Sequence, residues 1–364
     1  MHNVMTALRA SVLFRAAMMA PIAIMLIFSF FNLSAPLDPQ RTAAAFNLGI
    51  VNDDTGLAFP PIKVSERVMA GMGDRLPFHV VQIDTLNAAR AALEAGDIAT
   101  ILYFPRTFSE QAKGTAPVEI SIITAQNLTV AEAQIAAQLP MTVQLAMSAG
   151  VASLRSALAT GQMPSMDMPV AANVEILHPA PAPAALMAPN VMVFATWLAA
   201  LIGGLLLVLA SSKIAGMGRA AARIIVPVFG MGLASLGLAL VLGGTIGMAI
   251  FLPVWITVWA TALCLHWFMG GVIAVFTPAA IMVLLPLAFY QSVIGGTMMP
   301  LAAAPDWLAR VGGFAPFDQI GAGFRAIIFG LPANMPWAWL IGAGALGIAL
   351  HLLAGVLRPV KASQ

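Results

Sequence analysis

The stretch NVMVFATWLAALIGGLLLVLASSKIAGMGRAAARIIVPVFGMGLASLGLALVLGGT, residues 190–245, decides the fold of this chain. It contains two apolar runs, 190–210 and 224–245, each about as long as the ~20 helical residues that cross the hydrocarbon core of a bilayer. The loop between them carries Lys213, Arg219 and Arg223 and no acidic residue. Because cytoplasmic loops retain positive charge, this stretch predicts two membrane spans joined on the cytoplasmic side.

The composition of the whole chain also indicates a membrane protein. Hydrophobic residues make up 60% of the sequence and charged residues only 9%, and the mean hydropathy is +0.91. Four further apolar runs of spanning length occupy residues 16–33, 253–276, 279–299 and 337–357. The sequence therefore predicts a polytopic α-helical membrane protein with six transmembrane helices in a one-plus-five layout, interrupted after the first helix by a large insert.

Charged residues divide between the two sides that this layout defines. Seven basic residues and no acidic one lie before the first span, between the second and third, and after the last: Arg9, Arg15, Lys213, Arg219, Arg223, Arg358 and Lys361. All 15 acidic residues lie in 34–189 or 300–336, together with the other 10 of the 17 basic residues. We therefore expect both termini in the cytoplasm and the insert outside it.

The insert has the pattern of a small α/β domain followed by a stalk. Strands are predicted at 46–52, 78–83, 98–104 and 118–124, and a helix follows Thr85, a predicted N-cap, and ends at Gly96, a predicted C-cap. We predict one or two amphipathic helices from residue 128 to about 160. Residues 1–33 then form the N-terminal segment and first span, 34–160 the extracytoplasmic domain, 161–189 a Pro-rich stalk, and 190–364 the five-helix membrane domain.

A short polar motif, Asp54-Thr55-Gly56, has two interpretations. It is half of the site that a dimeric aspartic protease would need, in which two carboxylates share one proton. Asn, Asp and Gly also form the turn that ends a strand, which is the interpretation that we prefer. His178 has no partner ligand at a useful spacing, and a single cysteine, Cys264, excludes a cysteine-rich metal site. The sequence predicts no metal, no cofactor and no catalytic residue.

Residues from about 300 to 330 contain apolar runs too short or too broken by Pro and Gly to cross a membrane. Arg310, Asp318 and Arg325 are embedded among these runs, and Pro316 interrupts them. Non-helical backbone at membrane depth must be covered by protein or water, so we expect a re-entrant or interfacial hairpin on the outer side. These four residues are our candidates for transport or gating, because charges at membrane depth are functional candidates.

Two parts of the chain resemble a known family. The end of the fifth span and the segment after it resemble the end of ABC-2 type transporter permeases, through Gly295, Gly296, Pro300, Pro305, Trp307, Pro316, Arg325 and Gly330. The runs LGIVNDDTG (48–56) and ALEAGDIATILYFPRTFSEQ (92–111) are similar to the outer domain of the YhgE/Pip branch of that superfamily. In that branch a Pro-x-x-Phe-Ser step follows the second strand, and Pro105, Phe108 and Ser109 match it.

The resemblance implies an export permease that forms a homodimer and works with two separate ATP-binding cassette ATPase subunits. This chain contains no phosphate-binding Gly-x-x-x-x-Gly-Lys-[Ser/Thr] motif and is predicted not to be an enzyme. If the family mechanism holds, the ATPase docks on the basic cytoplasmic surface formed by Arg9, Arg15, Lys213, Arg219 and Arg223. The same residues are also explained by topology and by contact with anionic lipid.

The nearly uncharged spans favour an apolar or amphipathic substrate over an ion, because ion-driven pumps commonly carry an acidic residue in mid-span. The intramembrane polar side chains are few and include His266 and His351. One alternative is a non-transporting receptor or envelope-assembly factor that presents its outer domain, and the last is a peptidase that uses Asp54. Lipid is an expected partner and nucleic acid is not, and the expected location is a bacterial inner membrane.

Overall fold

The computed structural model describes residues 39–58, 61–73, 77–158, 169–214, 216–276, 278–294, 297–306, 310 and 317–357. These residues divide into two compact units. Asp38–Ala180 forms a sheet-bearing unit, and the chain from Pro181 onward belongs to a helical unit. The predicted first span, together with Arg9 and Arg15, lies outside the described residues.

The sheet-bearing unit contains five strands in the order β2-β1-β3-β4-β5. Their bounds are β1 Asn47–Asn52, β2 His79–Gln82, β3 Thr100–Phe104, β4 Val118–Ala125 and β5 Val170–Leu177. Neighbouring strands are parallel except for β3 and β4, which are antiparallel. The strand predictions at 46–52, 78–83, 98–104 and 118–124 are therefore confirmed within two residues at each end.

Helices cover both faces of this sheet. They are α1 Pro39–Ala44, α2 Val64–Gly73, α3 Leu86–Ala95, α4 Phe108–Lys113 and α5 Val130–Leu158. Side chains of a strand point alternately to opposite faces, so Leu102 packs in the core shared with α2, α4 and α5, whereas Ile101 packs in the core shared with α3. This arrangement confirms that the insert contains an α/β domain.

Helix α3 begins and ends where the sequence predicts. The hydroxyl of Thr85 accepts a hydrogen bond from the backbone NH of Ala88, which is the geometry of an N-cap. Gly96 follows the helix at a φ of 82°, and its NH bonds to carbonyls of the last turn. Glycine adopts this left-handed conformation without the steric cost that a Cβ atom brings.

The predicted stalk, 161–189, differs from the structure over eight residues. Val170–Leu177 forms the edge strand β5, which pairs in parallel with the whole of β4. The proline content of the surrounding sequence favoured an extended linker, but VAANVEIL itself contains no proline, so every residue can donate to the ladder. A 3-10 helix at Pro183–Leu186 then leads into the helical unit.

The helical unit contains α6 Ala188–Ala210, α7 Gly216–Ile246, α8 Phe251–Phe276, α9 Ile281–Ile294, α10 Phe317–Ile328 and α11 Trp337–Leu357. Five helices in the described residues are long and apolar enough to cross a membrane, and four of them are α6, α7, α8 (with the turn before it) and α11. The fifth is α5. These helices make the chain a candidate multi-pass membrane protein that also contains a small α/β sheet region.

Helix α5 has the composition of a span but packs on the sheet. Leu139, Val143 and Met147 are fully buried on one side of it, in the same core as strands β1 and β3. These apolar side chains of α5 are therefore buried against the sheet and not against lipid. We therefore count α5 with the α/β unit, as a single helix where the sequence allowed one or two.

The predicted span at 279–299 is only partly helical. Helix α9 has 14 residues with Pro286 inside it, which gives a length of about 21 Å against ~30 Å of hydrocarbon. Helix α10 has 12 residues and is likewise shorter than a span. Helix α10 lies in the segment 300–330, and residues 307–309 and 311–316 of that segment lie outside the described part. The re-entrant or interfacial hairpin stays a prediction.

Candidate functional site

The four long helices of the helical unit pack in defined directions. In the contacts between α6, α8 and α11, a later residue of one helix meets a later residue of the next. The pairs are Gly203 with His266 and Gly204 with Gly270 between α6 and α8, and Cys264 with Gly344 and Gly270 with His351 between α8 and α11. These three helices therefore run parallel to one another, as the second, fourth and sixth spans of the predicted layout would.

Helix α7 runs in the opposite direction, and three indole groups attach it to α8. The Nε1 atoms donate to backbone carbonyls one or more turns apart, at 2.9–3.0 Å: Trp255 to Gly232, Trp259 to Val228 and Trp267 to Ile224. An indole NH in an apolar environment needs an acceptor, and the helix backbone supplies it here. Sequence analysis did not identify this row, although Trp255, Trp259 and Trp267 fall on one face of α8 at spacings of four and eight.

Glycines bring α8 and α11 into backbone contact. A Cβ atom added to Gly271 would lie 2.5 Å from the carbonyl oxygen of Gly347, and one added to Gly347 would overlap the backbone of Trp267 and Phe268. Such close approach is possible only where both helices present small residues. The glycines of α8 and α11 therefore form a packing surface at this crossing.

Two histidines lie at the same crossing and are almost completely buried. His266 of α8 is 3% exposed and contacts Gly203, and His351 of α11 is 1% exposed and contacts Gly270. The Nδ1 atom of His266 and both ring nitrogens of His351 have no hydrogen-bond partner among the described residues. Because most buried polar atoms in proteins are paired, these rings mark the helix contact as a candidate functional site.

Further unpaired polar atoms lie on α6 and α8, the two helices that meet where His266 contacts Gly203. Three side chains of α6 and α8 have a buried donor or acceptor without a partner in the described chain: Thr196, Trp197 and Thr261. Together with the two histidines they form what we call the polar seam, defined as Thr196, Trp197, Thr261, His266 and His351. No Asp, Glu, Lys or Arg occurs in α6, α8 or α11. The seam is therefore a group of buried polar side chains in a set of helices without acidic or basic residues other than histidine.

Two arginines close the end of this bundle at which α6 finishes. Arg223 is 4% exposed, and it donates from Nε to the hydroxyl of Ser211 at 2.7 Å and from Nη2 to the carbonyl of Val208 at 3.0 Å. Arg219 is also buried and donates to the carbonyl of Ile214 at 2.7 Å. Carbonyls at a helix C-terminus lack intrahelical donors and carry partial negative charge, so Arg223 stabilises the end of α6, while Arg219 stabilises the turn that follows it.

The structure gives different results for the five candidate docking residues. Arg219 and Arg223 have an intramolecular role, which the sequence did not reveal because it depends on the turn between α6 and α7. Lys213 lies in the 3-10 helix of that turn, and Arg9 and Arg15 lie outside the described residues. A docking role for this end of the bundle stays a prediction.

Replacing Arg223 with Ala is expected to lower the thermal stability of the helical unit. The change removes two charge-assisted hydrogen bonds from the end of α6, each of which contributes about 1.5–3 kcal/mol. All seven Trp residues lie outside residues 34–189, so the unfolding of detergent-purified protein can be followed by indole fluorescence. Arg310→Ala, at an exposed position, is the matched control, and equal melting of the two variants would contradict the role given to Arg223.

Two of the four candidate transport residues, Asp318 and Arg325, lie in α10. Asp318 is in its first turn and Arg325 in its last, and both are partly exposed. Arg310 is exposed, and Pro316 lies outside the described residues. Phe317, which begins α10, packs edge-on against Trp197 of α6, with ring centroids 4.8 Å apart, and against Trp339 of α11. The structure thus holds α10 against two long helices, and the roles of its charged residues stay predictions.

In the sheet-bearing unit, Asp54 is a buried structural carboxylate. It is 3% exposed and accepts hydrogen bonds from the hydroxyls of Ser65, at 2.7 Å, and Ser109. Backbone NH groups of Gly56, Ser65 and Ser109 also donate to it, and Gly56 has a φ of 79°. The carboxylate therefore joins the end of β1 to the first turns of α2 and α4. The interpretation of this motif as the turn that ends a strand is confirmed.

Burial by itself raises the pKa of the Asp54 carboxyl group, but hydrogen bonds from Ser109, Ser65 and Gly56 outweigh it and lower the pKa below the usual value. A carboxylate of this kind is fully occupied by donors and cannot reach a water molecule or a peptide. The arrangement does not support the peptidase hypothesis. It also brings together the two runs, LGIVNDDTG and PRTFSEQ, that carry the resemblance in this unit.

A pocket of about 440 Å³ opens where the parallel strands β1 and β2 end. Its lining combines apolar and polar side chains from β1, α2 and the end of β2: Ile50, Asn52, Glu66, Met69, Gln82, Ile83 and Asp84. The volume is in the range of small-molecule sites, and the carboxyl edge of parallel strands is where α/β proteins commonly bind ligands. Sequence analysis missed this pocket because its residues come from three separate segments.

Comparison with known proteins gives little further information. No protein-family model and no curated protein matches this chain. Among solved structures, a domain assigned to an ABC type-2 transporter of Thermotoga maritima is similar, with 14% sequence identity and a TM-score of 0.27. The match covers 36% of this chain and 85% of that domain. A likeness of this size assigns neither a fold nor a function to the chain.

Proposed function

We propose that this chain is the membrane-spanning permease subunit of an ABC-2 type exporter of the YhgE/Pip branch. It moves an apolar or amphipathic substrate outward, using a separate ATP-binding cassette ATPase, and works as a homodimer. The α/β unit lies outside the cytoplasm and both termini lie inside it, with residues 16–33 and the α9 region completing six spans. The membrane is a bacterial inner membrane.

The observation that carries this proposal is the polar seam in an uncharged helical bundle. Its five side chains offer hydroxyl, indole and imidazole groups but no fixed charge. Such groups suit the polar end of a lipid-like molecule whose apolar part remains in the bilayer, and they do not suit a bare ion. Six spans exceed the one or two that a simple membrane anchor needs.

Coupling to an ATPase is supported by the way in which α6 and α11 end on the same side of the bundle. The turn between α6 and α7 and the end of α11 are brought to one place by contacts of Gly355 with Gly216 and Ala220. Because the two parallel helices α6 and α11 finish there, an ATPase that presses on this end can move both. This chain supplies no nucleotide-binding motif of its own.

Purification in mild detergent from the native membrane, followed by mass spectrometry and an ATPase assay, tests this proposal. We expect a stoichiometric ATP-binding subunit and vanadate-sensitive ATP hydrolysis. If the chain is recovered alone and without ATPase activity from several detergents, the permease proposal fails.

Replacing Arg325 with Ala is expected to reduce export at least tenfold without changing membrane insertion. The guanidinium group lies on a short helix that packs on α6, and its loss removes a charge that we expect to lie at membrane depth. Export is measured as accumulation of a lipophilic dye in cells, and insertion by membrane fractionation. Lys63→Ala, which affects an exposed ion pair with Glu66, is the control, and unchanged efflux in Arg325→Ala would remove Arg325 from the transport path.

A second candidate function is a receptor or envelope-assembly factor, and the pocket between β1, β2 and α2 favours it. In that case the α/β unit binds a small molecule and the helical unit holds it at the membrane. The two functions predict different results for Asp84→Asn, a change in the pocket lining. A receptor loses its ligand response in this variant, whereas ATPase activity that co-purifies with an exporter persists.

A further inference from the structure

The pocket between β1, β2 and α2 exists because α2 covers only part of the sheet. Helix α2 buries Val64 and Val68 in the same core as β1 and β3, whereas all four residues of the edge strand β2 are exposed or partly exposed. Gln82 of β2 lies beside Ile50 of β1 in the parallel register. The uncovered strip beside α2 forms the cavity of about 440 Å³ described above.

The polar groups that line this pocket are acidic or neutral. Glu66 of α2 and Asp84 at the end of β2 contribute carboxylates, and Asn52 and Gln82 contribute carboxamides. Among the described residues, no Lys, Arg or His lines the pocket. At neutral pH the lining therefore carries two negative charges and no positive one.

Two of these polar groups have no role in holding the fold together. The side chains of Gln82 and Asp84 make no hydrogen bond and no ion pair with another described residue. The other two are engaged in part: Glu66 forms a surface ion pair with Lys63 at 3.3 Å, and the side-chain oxygen of Asn52 accepts a hydrogen bond from a backbone NH. A ligand can therefore bind Gln82 and Asp84 without breaking a contact within the described chain.

An anionic ligand does not suit this pocket, although the carboxyl ends of parallel strands commonly bind phosphate groups at helix N-termini. The first-turn NH groups of the neighbouring helices are already used by side chains of this chain. Those of Val64 and Ser65 in α2 donate to side-chain oxygens, and that of Ala88 in α3 donates to Thr85. A bare metal ion also fits less well, because the described residues contain no group of three or more His, Cys, Asp or Glu side chains that could hold one.

We propose that this pocket binds a small organic cation, a primary or secondary alkylammonium compound. The N–H groups of the ligand donate charge-assisted hydrogen bonds to the carboxylates of Asp84 and Glu66 and a further hydrogen bond to the carboxamide oxygen of Gln82. Its alkyl chain packs on the apolar side chains of Ile50 and Met69, which line the same pocket. The inference gives a ligand class to the pocket on which the second candidate function rests, and it does not depend on transport by the helical unit.

Amide hydrogen exchange in the detergent-purified full chain tests this proposal, with n-butylammonium as the probe. Butan-1-ol and butanoate are the matched probes, because they carry the same alkyl chain with a neutral or a negatively charged head group. Residues 79–84 are the reporter, since the NH groups of His79 and Ile83 bond to β1 and a bound ligand stabilises this paired state. Exchange there is expected to slow about threefold when the amine reaches about twice its dissociation constant. Neither matched probe is expected to slow it at the same concentration and ionic strength.

Two variants connect the effect to the pocket. Asp84→Asn keeps the size of an exposed side chain and removes its charge. It is expected to weaken amine binding about tenfold, which is the loss that one hydrogen bond to a charged group produces. Glu94→Gln removes an exposed carboxylate of α3 that does not line the pocket, and it should leave amine binding unchanged.

Three results would overturn the proposal. One is the absence of slowing by the amine at residues 79–84, and another is slowing of the same size by butanoate or butan-1-ol. The third is equal amine binding by Asp84→Asn and the unaltered protein, which would place the ligand elsewhere. Amine binding with no co-purifying ATPase leaves the site standing and refutes the permease, whereas an ATPase complex without amine binding refutes the site alone.

Discussion

Gly347→Ala is expected to destabilise the helical unit by about 3 kcal/mol, the upper end of the range for overpacking. The added methyl group overlaps the backbone of Trp267 and Phe268 on α8. Backbone atoms cannot rotate away as a side chain would, so α8 and α11 must separate. When the two helices separate in an apolar environment, van der Waals contacts are lost and no hydrophobic effect compensates for them.

The same helix supplies the control for this prediction. Gly342 is exposed, and a Cβ atom added there has no atom within 4 Å. Gly342→Ala should therefore leave the stability unchanged or raise it slightly through better helix propensity. The measurement is the indole-fluorescence melting curve of both variants in one detergent. If both variants melt like the unaltered protein, the close contact between α8 and α11 is not present in the folded chain.

Asp54→Ala is expected to cost at least ~3 kcal/mol in the sheet-bearing unit, because it leaves several buried donors unsatisfied at once. The hydroxyls of Ser65 and Ser109 and three backbone NH groups lose their acceptor. Amide hydrogen exchange in the full chain should rise in the first turns of α2 and α4. Asp84→Ala, at an exposed position, should leave exchange in those turns unchanged, and similar exchange in the two variants would contradict the role of Asp54.

The same carboxylate gives the unit a pH dependence. The pKa of Asp54 is lower in the folded chain than its usual value, so the group stabilises the fold fully above the unfolded-state pKa of ~3.9. That contribution is lost as the pH falls through the lower pKa of the folded state. Asp54→Asn cannot ionise, and its stability should therefore change less than that of the unaltered protein when the pH is lowered from 5 to 3.

Features with a local cause were predictable from the sequence. The bounds of α11, the caps of α3 and the loop at Gly56 follow from hydrophobic length, side-chain hydrogen bonding and positive φ, all of which a few neighbouring residues determine. Strand β5 was not predictable in the same way. Its eight residues contain no proline, but they lie between proline-rich stretches, and only the neighbouring strand β4 makes them part of a sheet.

The candidate site was less predictable because it depends on distant pairs. The sequence singled out His266 and His351 as polar residues in spans, but it could not show that both rings lie against glycines of neighbouring helices. Charge alone suggested that Arg219 and Arg223 lie on a surface. In the structure both are buried, Arg219 against the carbonyl of Ile214 in the turn after α6 and Arg223 against the carbonyl of Val208 in α6. Span-like composition likewise did not separate α5 from the other long helices.

The row of indole bonds between α7 and α8 has a mechanical consequence. The three donors lie on α8 and the three acceptors on α7, and consecutive bonds are more than one helical turn apart. Pulling the two helices apart would break all three bonds where no water can replace them. We therefore expect these two helices to move together, so that a change of shape in the bundle would occur at the glycine contacts that α8 makes with α6 and α11.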